Sequence, residues 1–229
     1  MPEARTFVRP DGRRFVVGNP EGELPPGELF ATVDENAPER VRTLDALGFV
    51  RERRELELVL PTDVPRGPAP PGVESLRADE VDEETLRLLD DELRQDVPGT
   101  AGWRWTAAEF REETCLSPHF DPAVYLVARS GSEHVGICRV WLRPGQPRLG
   151  FIGVRRSVRR RGIARWLIGE VLAELQARGV NEVRTDVDEK NVASRTLLEG
   201  LGGSVVGASL ELRRPSAPRP SRAPRRTRT

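Results

Sequence analysis

The segment 148–187 admits few folds. Arg148-Leu149-Gly150-Phe151-Ile152-Gly153-Val154 is an apolar run of strand length, and after a polar turn Ile163, Leu167, Val171 and Leu175 recur every four residues beside Ile168 and Leu172. That spacing lays one apolar stripe along a helix over 163–178. Residues 182–187 return to a strand-like pattern. A strand that leaves a sheet and rejoins it through a helix comes back parallel, so 148–154 and 182–187 are expected as a parallel pair.

Two proline-rich stretches bracket this region. Between Leu60 and Val73 the sequence Pro-Thr-Asp-Val-Pro-Arg-Gly-Pro-Ala-Pro-Pro-Gly cannot enter a helix interior or a central strand, so 61–72 reads as a linker. Residues 214–229 mix Arg, Pro, Ser, Ala and Thr with no acid and little apolar surface, the composition of a disordered tail. Between them, strands are expected over 74–77, 124–128, 135–142 and 204–212, with helices over 80–94, 107–113 and 191–201. The turn Ser130-Gly131-Ser132 joins two of the strands as an antiparallel hairpin. Short strands alternating with helices describe an α/β (α+β) layered domain over 73–213.

Composition removes several functions. Lys+Arg and Asp+Glu both number 36, so the chain lacks the basic excess of a dedicated nucleic-acid binder. Nucleic acid is not an expected partner, and only the arginine-rich tail offers a local route to one. Lys190 is the single lysine, an arginine bias typical of high-GC bacterial coding sequence. Cys115 and Cys138 are too few and too far apart for a zinc site or a disulfide framework, so no metal is expected. With His119 and His134 the only histidines, serine-hydrolase triads and His-Glu-x-x-His zincins have no support. No apolar run approaches the ~20 residues that span a bilayer. The opening Met1-Pro2-Glu3-Ala4-Arg5 lacks a signal-type apolar stretch, and a soluble, cytoplasmic protein without a membrane partner is expected, as monomer or homodimer.

The turn at 155–162 carries the chemistry. Arg155-Arg156-Ser157-Val158-Arg159-Arg160-Arg161-Gly162 lies between a strand and a strong helix, whose first amides have no intrahelical acceptor and sit at the positive end of the dipole. Such a terminus suits a pyrophosphate, with Gly162 allowing close backbone approach and small Ala164 leaving room. On spacing alone the arginines are equally a solvated basic run.

Arg159-x-x-Gly162-x-Ala164 is similar to the Arg/Gln-x-x-Gly-x-Gly/Ala signature of the GCN5-related N-acetyltransferases (GNAT). Asn191-Val-Ala-Ser194-Arg-Thr-Leu-Leu198-Glu-Gly-Leu201-Gly202 resembles that superfamily's Asn-x-x-Ala/Ser-x-x-Leu-Tyr-Glu-x-Leu-Gly-Phe segment. The resemblance implies a mixed, mostly antiparallel sheet flanked by helices, in which strands 148–154 and 182–187 splay apart around the pantetheine arm of acetyl-CoA. The backbone of Ile152, Gly153 and Val154 would hold pantetheine, with an amide near Gly153 polarising the thioester carbonyl. Backbone groups of Arg160, Arg161, Gly162, Ile163, Ala164 and Arg165 would hold the pyrophosphate, with Arg159, the first residue of the signature, also in the cofactor site. Asn191 would stand beside the arm, or simply cap a helix.

By the same resemblance Asp186, five residues before the asparagine, corresponds to the general base of members that acetylate protein N-termini; Asp188 and Glu189 are neighbouring alternatives. Leu198 stands where many members carry the tyrosine that serves as general acid. Tyr125 reads as core or rim, and Cys138 as a small buried hydrophobe. Trp103 and Trp105, preceded by Asp96-Val97-Pro98-Gly99, fall where this fold's early helices line the acceptor pocket. The implied activity is acetyl transfer from acetyl-CoA to a primary amine of a small molecule or protein; the alternative is a non-catalytic acyl-CoA-binding module.

The chain also repeats itself. An offset of 154 aligns Val33-Asp34-Glu35 with Val187-Asp188-Glu189, Leu47-Gly48 with Leu201-Gly202, and Leu56-Glu57-Leu58 with Leu210-Glu211-Leu212. Residues 28–60 thus resemble the last third of a second copy, which makes 1–60 a partial, degenerate domain with a strand, a helix over 39–47 and a closing strand; the alternative is an independent helix and strand on the surface. The stretch Arg5 to Pro10, at the distance of the phosphate turn, has no glycine, so this copy is expected not to bind CoA.

Overall fold

The computed structural model describes residues 5–18, 24–100 and 102–216. The chain divides into two compact units, Met1–Arg53 with Leu210–Thr229, and Arg54–Ser209. Most of the arginine-rich tail lies outside the described residues.

The first unit opens with an unexpected hairpin. β1 (Arg5–Val8) and β2 (Arg14–Val17) pair antiparallel from Arg5↔Val17 to Val8↔Arg14. β2 meets β3 (Leu29–Asp34) in parallel at Phe15↔Phe30. α1 (Pro38–Ala46) begins on a proline, whose missing N–H costs nothing at a helix start, and β4 (Val50–Pro61) follows. Val16, Leu29, Val33, Leu44 and Phe49 pack with Leu210 and Leu212 of the last strand. Between those two leucines Glu211 is buried, and Arg13 and Arg53 reach it at 2.9 and 3.0 Å, so the carboxylate is neutralised where it lies.

The second unit carries β5 (Val73–Arg77), α2 (Glu83–Arg94), α3 (Ala107–Phe110), β6 (Tyr125–Ser130), β7 (Glu133–Trp141), β8 (Arg148–Val154), α4 (Ile163–Ala177), β9 (Glu182–Asp188), α5 (Val192–Glu199) and the start of β10 (Ser204–Arg214). Its strand order is β10-β4-β9-β8-β7-β6-β5. β5 through β8 pair antiparallel, as do β4 and β9, whereas β8 and β9 are parallel. On one face α4 buries Leu167, Val171 and Leu175 against Leu58, Leu60, Val183 and Val187. On the other, Leu86, Leu89 and Leu93 of α2 pack on Tyr125, Val127, Ile137 and Phe151.

The expected elements are present with shifted ends. The helix anticipated over 80–94 is a 3-10 turn, Ala78–Glu80, followed by α2, because the Asp82 carboxylate accepts the Thr85 amide at 2.9 Å and restarts the helix as its cap. The helix anticipated over 107–113 loosens after Phe110 into one wide turn, Arg111–Cys115, closed by Leu116 N–H donating to the Arg111 carbonyl at 2.8 Å.

Shifted by 154, the bounds of β3, α1 and β4 fall at 183–188, 192–200 and 204–215, which are those of β9, α5 and β10 to within one residue. Residues 55–61 of β4 pair with β9 in the second unit, and 210–214 of β10 belong to the first, where β10 neighbours β3.

Candidate functional site

β8 and β9 touch and then part. Their one registered pair is Arg148↔Arg184, reinforced by the Arg184 amide on the Pro147 carbonyl at 3.0 Å and the Thr185 hydroxyl on the Leu149 carbonyl at 3.0 Å. Beyond it no registered pair joins the two strands, and a V-shaped opening forms toward Val154. Gly150 sharpens the divergence. β7 pairs Arg139 with Phe151 and the next residue, Val140, with Leu149, leaving Gly150 as an extra residue, a bulge. A Cβ at Gly150 would lie 2.5 Å from Trp141 Nε1, so only glycine lets the indole cover the bulge.

A cavity of about 190 Å³ occupies the opening, lined by Leu93, Asp96, Val97, Ile152, Gly153, Val154, Arg159, Ala164, Asn191, Ala193, Ser194 and Leu197. Six residues singled out from the sequence therefore share one cavity: Ile152, Gly153, Val154, Arg159, Ala164 and Asn191. Gly153 is a close-approach position, since a Cβ there would meet Leu93 Cβ at 2.9 Å and Phe151 Cζ at 3.1 Å. Asn191 lines the cavity, and its side chain caps α5 by accepting the Ser194 amide at 3.1 Å.

The turn before α4 is shaped for an anion. Arg160 has φ 62°, the sole non-glycine residue with positive φ among the described residues, and Gly162, the N-cap of α4, has φ 84°. A left-handed conformation on an arginine is strained, and such outliers collect at ligand sites. Left-handed residues close together in a turn are the ingredients of an anion-binding nest, in which successive amides point to one side. Among the described residues the amides of Arg160, Arg161 and Gly162 have no backbone acceptor. The guanidiniums of Arg160 and Arg161 are exposed and form no ion pair among the described residues. A Cβ at Gly162 would meet nothing within 4 Å, so it is the backbone angle that requires glycine.

Two side chains of the expected phosphate group, whose backbone carries the expectation, point elsewhere. Ile163 is a core residue, 2% exposed, and only its backbone faces the turn. Arg165 donates to the Gly200 carbonyl at 2.9 Å, tying the start of α4 to the end of α5. Arg159 donates through Nε to the Val154 carbonyl at 2.8 Å and forms an ion pair with Asp96, which also pairs with Arg156. Hydrogen bonds from Arg156 first, then Arg159, hold the Asp96 carboxyl at about 2. Asp96 and Val97, read from the sequence with the acceptor loop, line this cavity instead. Leu93 shares that wall, and in the sequence it was indistinguishable from the other leucines of the α2 stripe.

The α2-side face of the sheet continues past the opening. Asp186 lies on β9 opposite Glu57, and its carboxylate forms an ion pair with Arg148 of β8. Burial and the neighbouring Arg143 lower the affinity of Arg148 for its proton, while Glu55 and Glu57 oppose this. Asp188 accepts the Lys190 amide at 2.8 Å, and Glu189 pairs with Arg54 at 3.5 Å. Leu198 is buried in the α4-side core, 2% exposed. Tyr125 is fully buried on the other side, its hydroxyl without a partner, and burial raises its pKa. Cys138 is buried and free, with its thiol pKa pushed up by desolvation.

Trp103 and Trp105 contact each other edge to face, with centroids 4.4 Å apart. The Trp105 indole N–H donates to Asp90 at 2.9 Å. Asp90, fully buried, also accepts Arg94 and lies 3.4 Å from Arg139. No cluster of three or more His, Cys, Asp or Glu among the described residues could hold a metal. No helix there is long and apolar enough to cross a membrane.

Comparison with known proteins agrees with this geometry. The family model described as "Acetyltransferase (GNAT) family" matches residues 85–202. A protein of Salinispora arenicola named mycothiol acetyltransferase is 33% identical over 187 residues, covering 77% of this chain and 60% of the relative. One of the same name from Thermobispora bispora is 30% identical over 178 residues, covering 72% and 58%. The chain thus spans about 60% of the length of the curated relatives it matches. A GCN5-related N-acetyltransferase from Sphaerobacter thermophilus superposes with a TM-score of 0.75 at 20% identity, covering 93% of this chain and 77% of that one. A tandem GNAT protein of the clavulanic acid biosynthesis pathway gives 0.62 at 17% identity, covering 84% and 65%. With the family signature on the walls of the cavity and the family model over more than half the chain, the protein belongs to the GNAT acetyltransferase family.

Proposed function

We propose that this protein is an N-acetyltransferase that takes acetyl-CoA as co-substrate and transfers the acetyl group directly to a primary amine. The observation that carries the reading is the cavity in the β8–β9 opening, with the nest of Arg160 and Gly162 next to it. Acetyl-CoA would bring the acyl group already activated as a thioester. The amides from Arg160 to Ala164 would take its diphosphate, helped by the dipole of α4 and by Arg159, Arg160 and Arg161. Backbone groups of Ile152 to Val154 would align the arm along β8. Close packing of Gly153 on Leu93 and Phe151 would fix the amides that face the thioester carbonyl, where oxyanion charge develops.

The amine must lose a proton to attack. Asp186 is the proposed acceptor of that proton, and to take it the carboxylate must loosen from Arg148. Glu55 and Glu57 both act electrostatically on Arg148, which leaves the guanidinium with negative neighbours when Asp186 lets go. No side-chain acid is assigned to the departing thiolate, because Leu198 is core and a thiol leaves readily near neutral pH. An acceptor screen tests the reading, with amino sugars, amino acids, polyamines and, given the names of the two relatives, mycothiol-type amines. For the amine that is acetylated, Asp186→Asn should lower kcat by roughly 10²-fold or more; unchanged turnover would eliminate Asp186 as the base.

A second reading, a non-catalytic acyl-CoA-binding module, draws on two observations: the buried Leu198 and the engagement of Asp186 by Arg148. Firm CoA binding with no turnover across the screen would favour it. The shared bounds at the offset of 154 support a further proposal, that 1–60 derives from a second GNAT-like copy reduced to its last third, with 61–72 as the linker to the domain at 73–213. The two free cysteines fit a reducing cytoplasm.

A further inference from the structure

The cavity wall contains one acidic side chain, Asp96. Beside Arg156, Arg159, Arg160 and Arg161 and amides with no backbone acceptor, a carboxylate at the mouth is out of place, because it repels the anion that those groups attract. Its contacts show what it does instead. It pairs with Arg156, whose Nε lies 3.1 and 3.2 Å from its two oxygens, and with Arg159, the first residue of the phosphate signature. Asp96 thus sits on the guanidiniums as an anion supplied by the protein itself.

We propose that Asp96 is an internal competitor for the donor's phosphates: it occupies Arg156 and Arg159 while the site is empty, surrenders them when a diphosphate arrives, and retakes them as CoA departs. The inference rests on the acyl-CoA reading above and adds to it a residue that sets the balance between donor binding and product release. Three features support it. The side chains of Arg156 and Arg159 are 81% and 41% exposed, so both can swing from a carboxylate to a phosphate without unpacking a core. Asp96 follows the C-terminus of α2, held by its backbone amide on the Leu93 carbonyl at 3.4 Å, and its side chain is only 25% exposed, so it is poised at the mouth whether or not the arginines stay with it. The carboxyl remains ionised across the physiological range, so the competition does not switch off with pH.

The opposing account is that Asp96 merely preorganises the two arginines for the phosphates. The accounts differ in sign. If Asp96 competes, Asp96→Asn frees both guanidiniums and adds one net positive charge at the mouth. CoA and acetyl-CoA should then bind about three- to tenfold more tightly, the scale of two exposed ion pairs, and the logarithm of Kd should rise more steeply with salt. If Asp96 preorganises, the variant binds more weakly.

The experiment is titration calorimetry of the full chain with CoA and with acetyl-CoA at several salt concentrations, on wild type, Asp96→Asn and Asp96→Ser, with thermal melts confirming that each variant folds. Where turnover is measurable, KM for acetyl-CoA should fall, and kcat should fall with it if product release limits the cycle. Tighter binding with a steeper salt slope in either variant supports the competitor. Unchanged or weaker binding in the folded variants overturns it and leaves the donor reading standing. Wild type that binds neither CoA nor acetyl-CoA sinks both.

Discussion

Gly153 and Gly169 both sit in regular elements of the second unit, yet the structure assigns opposite signs to their replacement by alanine. At Gly153 the new methyl would stand 2.9 Å from Leu93 Cβ and 3.1 Å from Phe151 Cζ. The first of these atoms is anchored to the α2 backbone and cannot rotate away, so α2 and β8 must separate. Overpacking of this kind costs about 1–3 kcal/mol. With roughly 2–4 °C per kcal/mol for a chain of this size, the melting temperature should fall by about 2–12 °C. Because Leu93 and Gly153 both line the cavity, the same displacement should weaken CoA binding by about tenfold or more, ~1.4 kcal/mol. At Gly169, inside α4, a Cβ meets nothing within 4 Å. Alanine there gains helix propensity and should stabilise by about 0.5–1 kcal/mol, with CoA affinity unchanged. Urea titrations of the two variants, followed by calorimetry with CoA, read both quantities. If Gly153→Ala matches wild type in stability and affinity, the close approach of β8 to α2 is not what forms the cavity wall.

Asp90→Ala strands Arg94 and Arg139 around a lost buried carboxylate and should cost about 3–5 kcal/mol in chemical denaturation; a loss below 1 kcal/mol would mean that the cluster is already solvated. Asn191→Ala removes the α5 cap and should cost about 1 kcal/mol. Asn191→Ser keeps the cap but not the reach into the cavity, so CoA affinity measured on both variants separates the two roles. The Asp96 carboxyl titrates at about 2 when folded, below the usual carboxylate value of 3.8. Its stabilisation is complete above the unfolded value and is lost as pH falls through the folded one. The stability advantage of wild type over Asp96→Asn should therefore be full above pH ~4 and fade toward pH ~2. An advantage that stays constant over this acid limb would show that the ion pairs contribute nothing.

Much of the second unit was legible because its signals are local. The stripe of α4, the turn at Ser130 to Ser132 and the phosphate signature each occupy a few consecutive residues, and their physics needs no distant partner. The hairpin β1–β2 was not legible. Arg5-Thr6-Phe7-Val8 and Arg14-Phe15-Val16-Val17 are each four residues long, too short for alternation to stand out from chance. The candidate site divides in the same way. Its β8 and α4 wall was readable from one window, whereas Leu93, Asp96 and Val97 come from the end of α2, more than fifty residues earlier. Leu93 repeats the pattern of a core leucine, and nothing local marks it as facing a cavity. The Gly150 bulge depends on register against β7, and the engagement of Asp186 by Arg148 depends on two strands meeting at one point, so neither was accessible before the fold.

The pairing of β4 with β9 bears on how the molecule could be shortened. Both the proline-rich stretch and the span matched by the family model invite a cut near residue 72, and the piece so released would contain every cavity residue. It would also lack the seven residues from Glu55 to Pro61 that pair with β9. β9 would then present an open row of amides and carbonyls to solvent, and an unprotected edge recruits other chains. A trimmed fragment is thus expected to aggregate or pair with itself, although it keeps every residue that lines the cavity. In the intact chain, residues 55–61 of β4 are what closes that edge of β9.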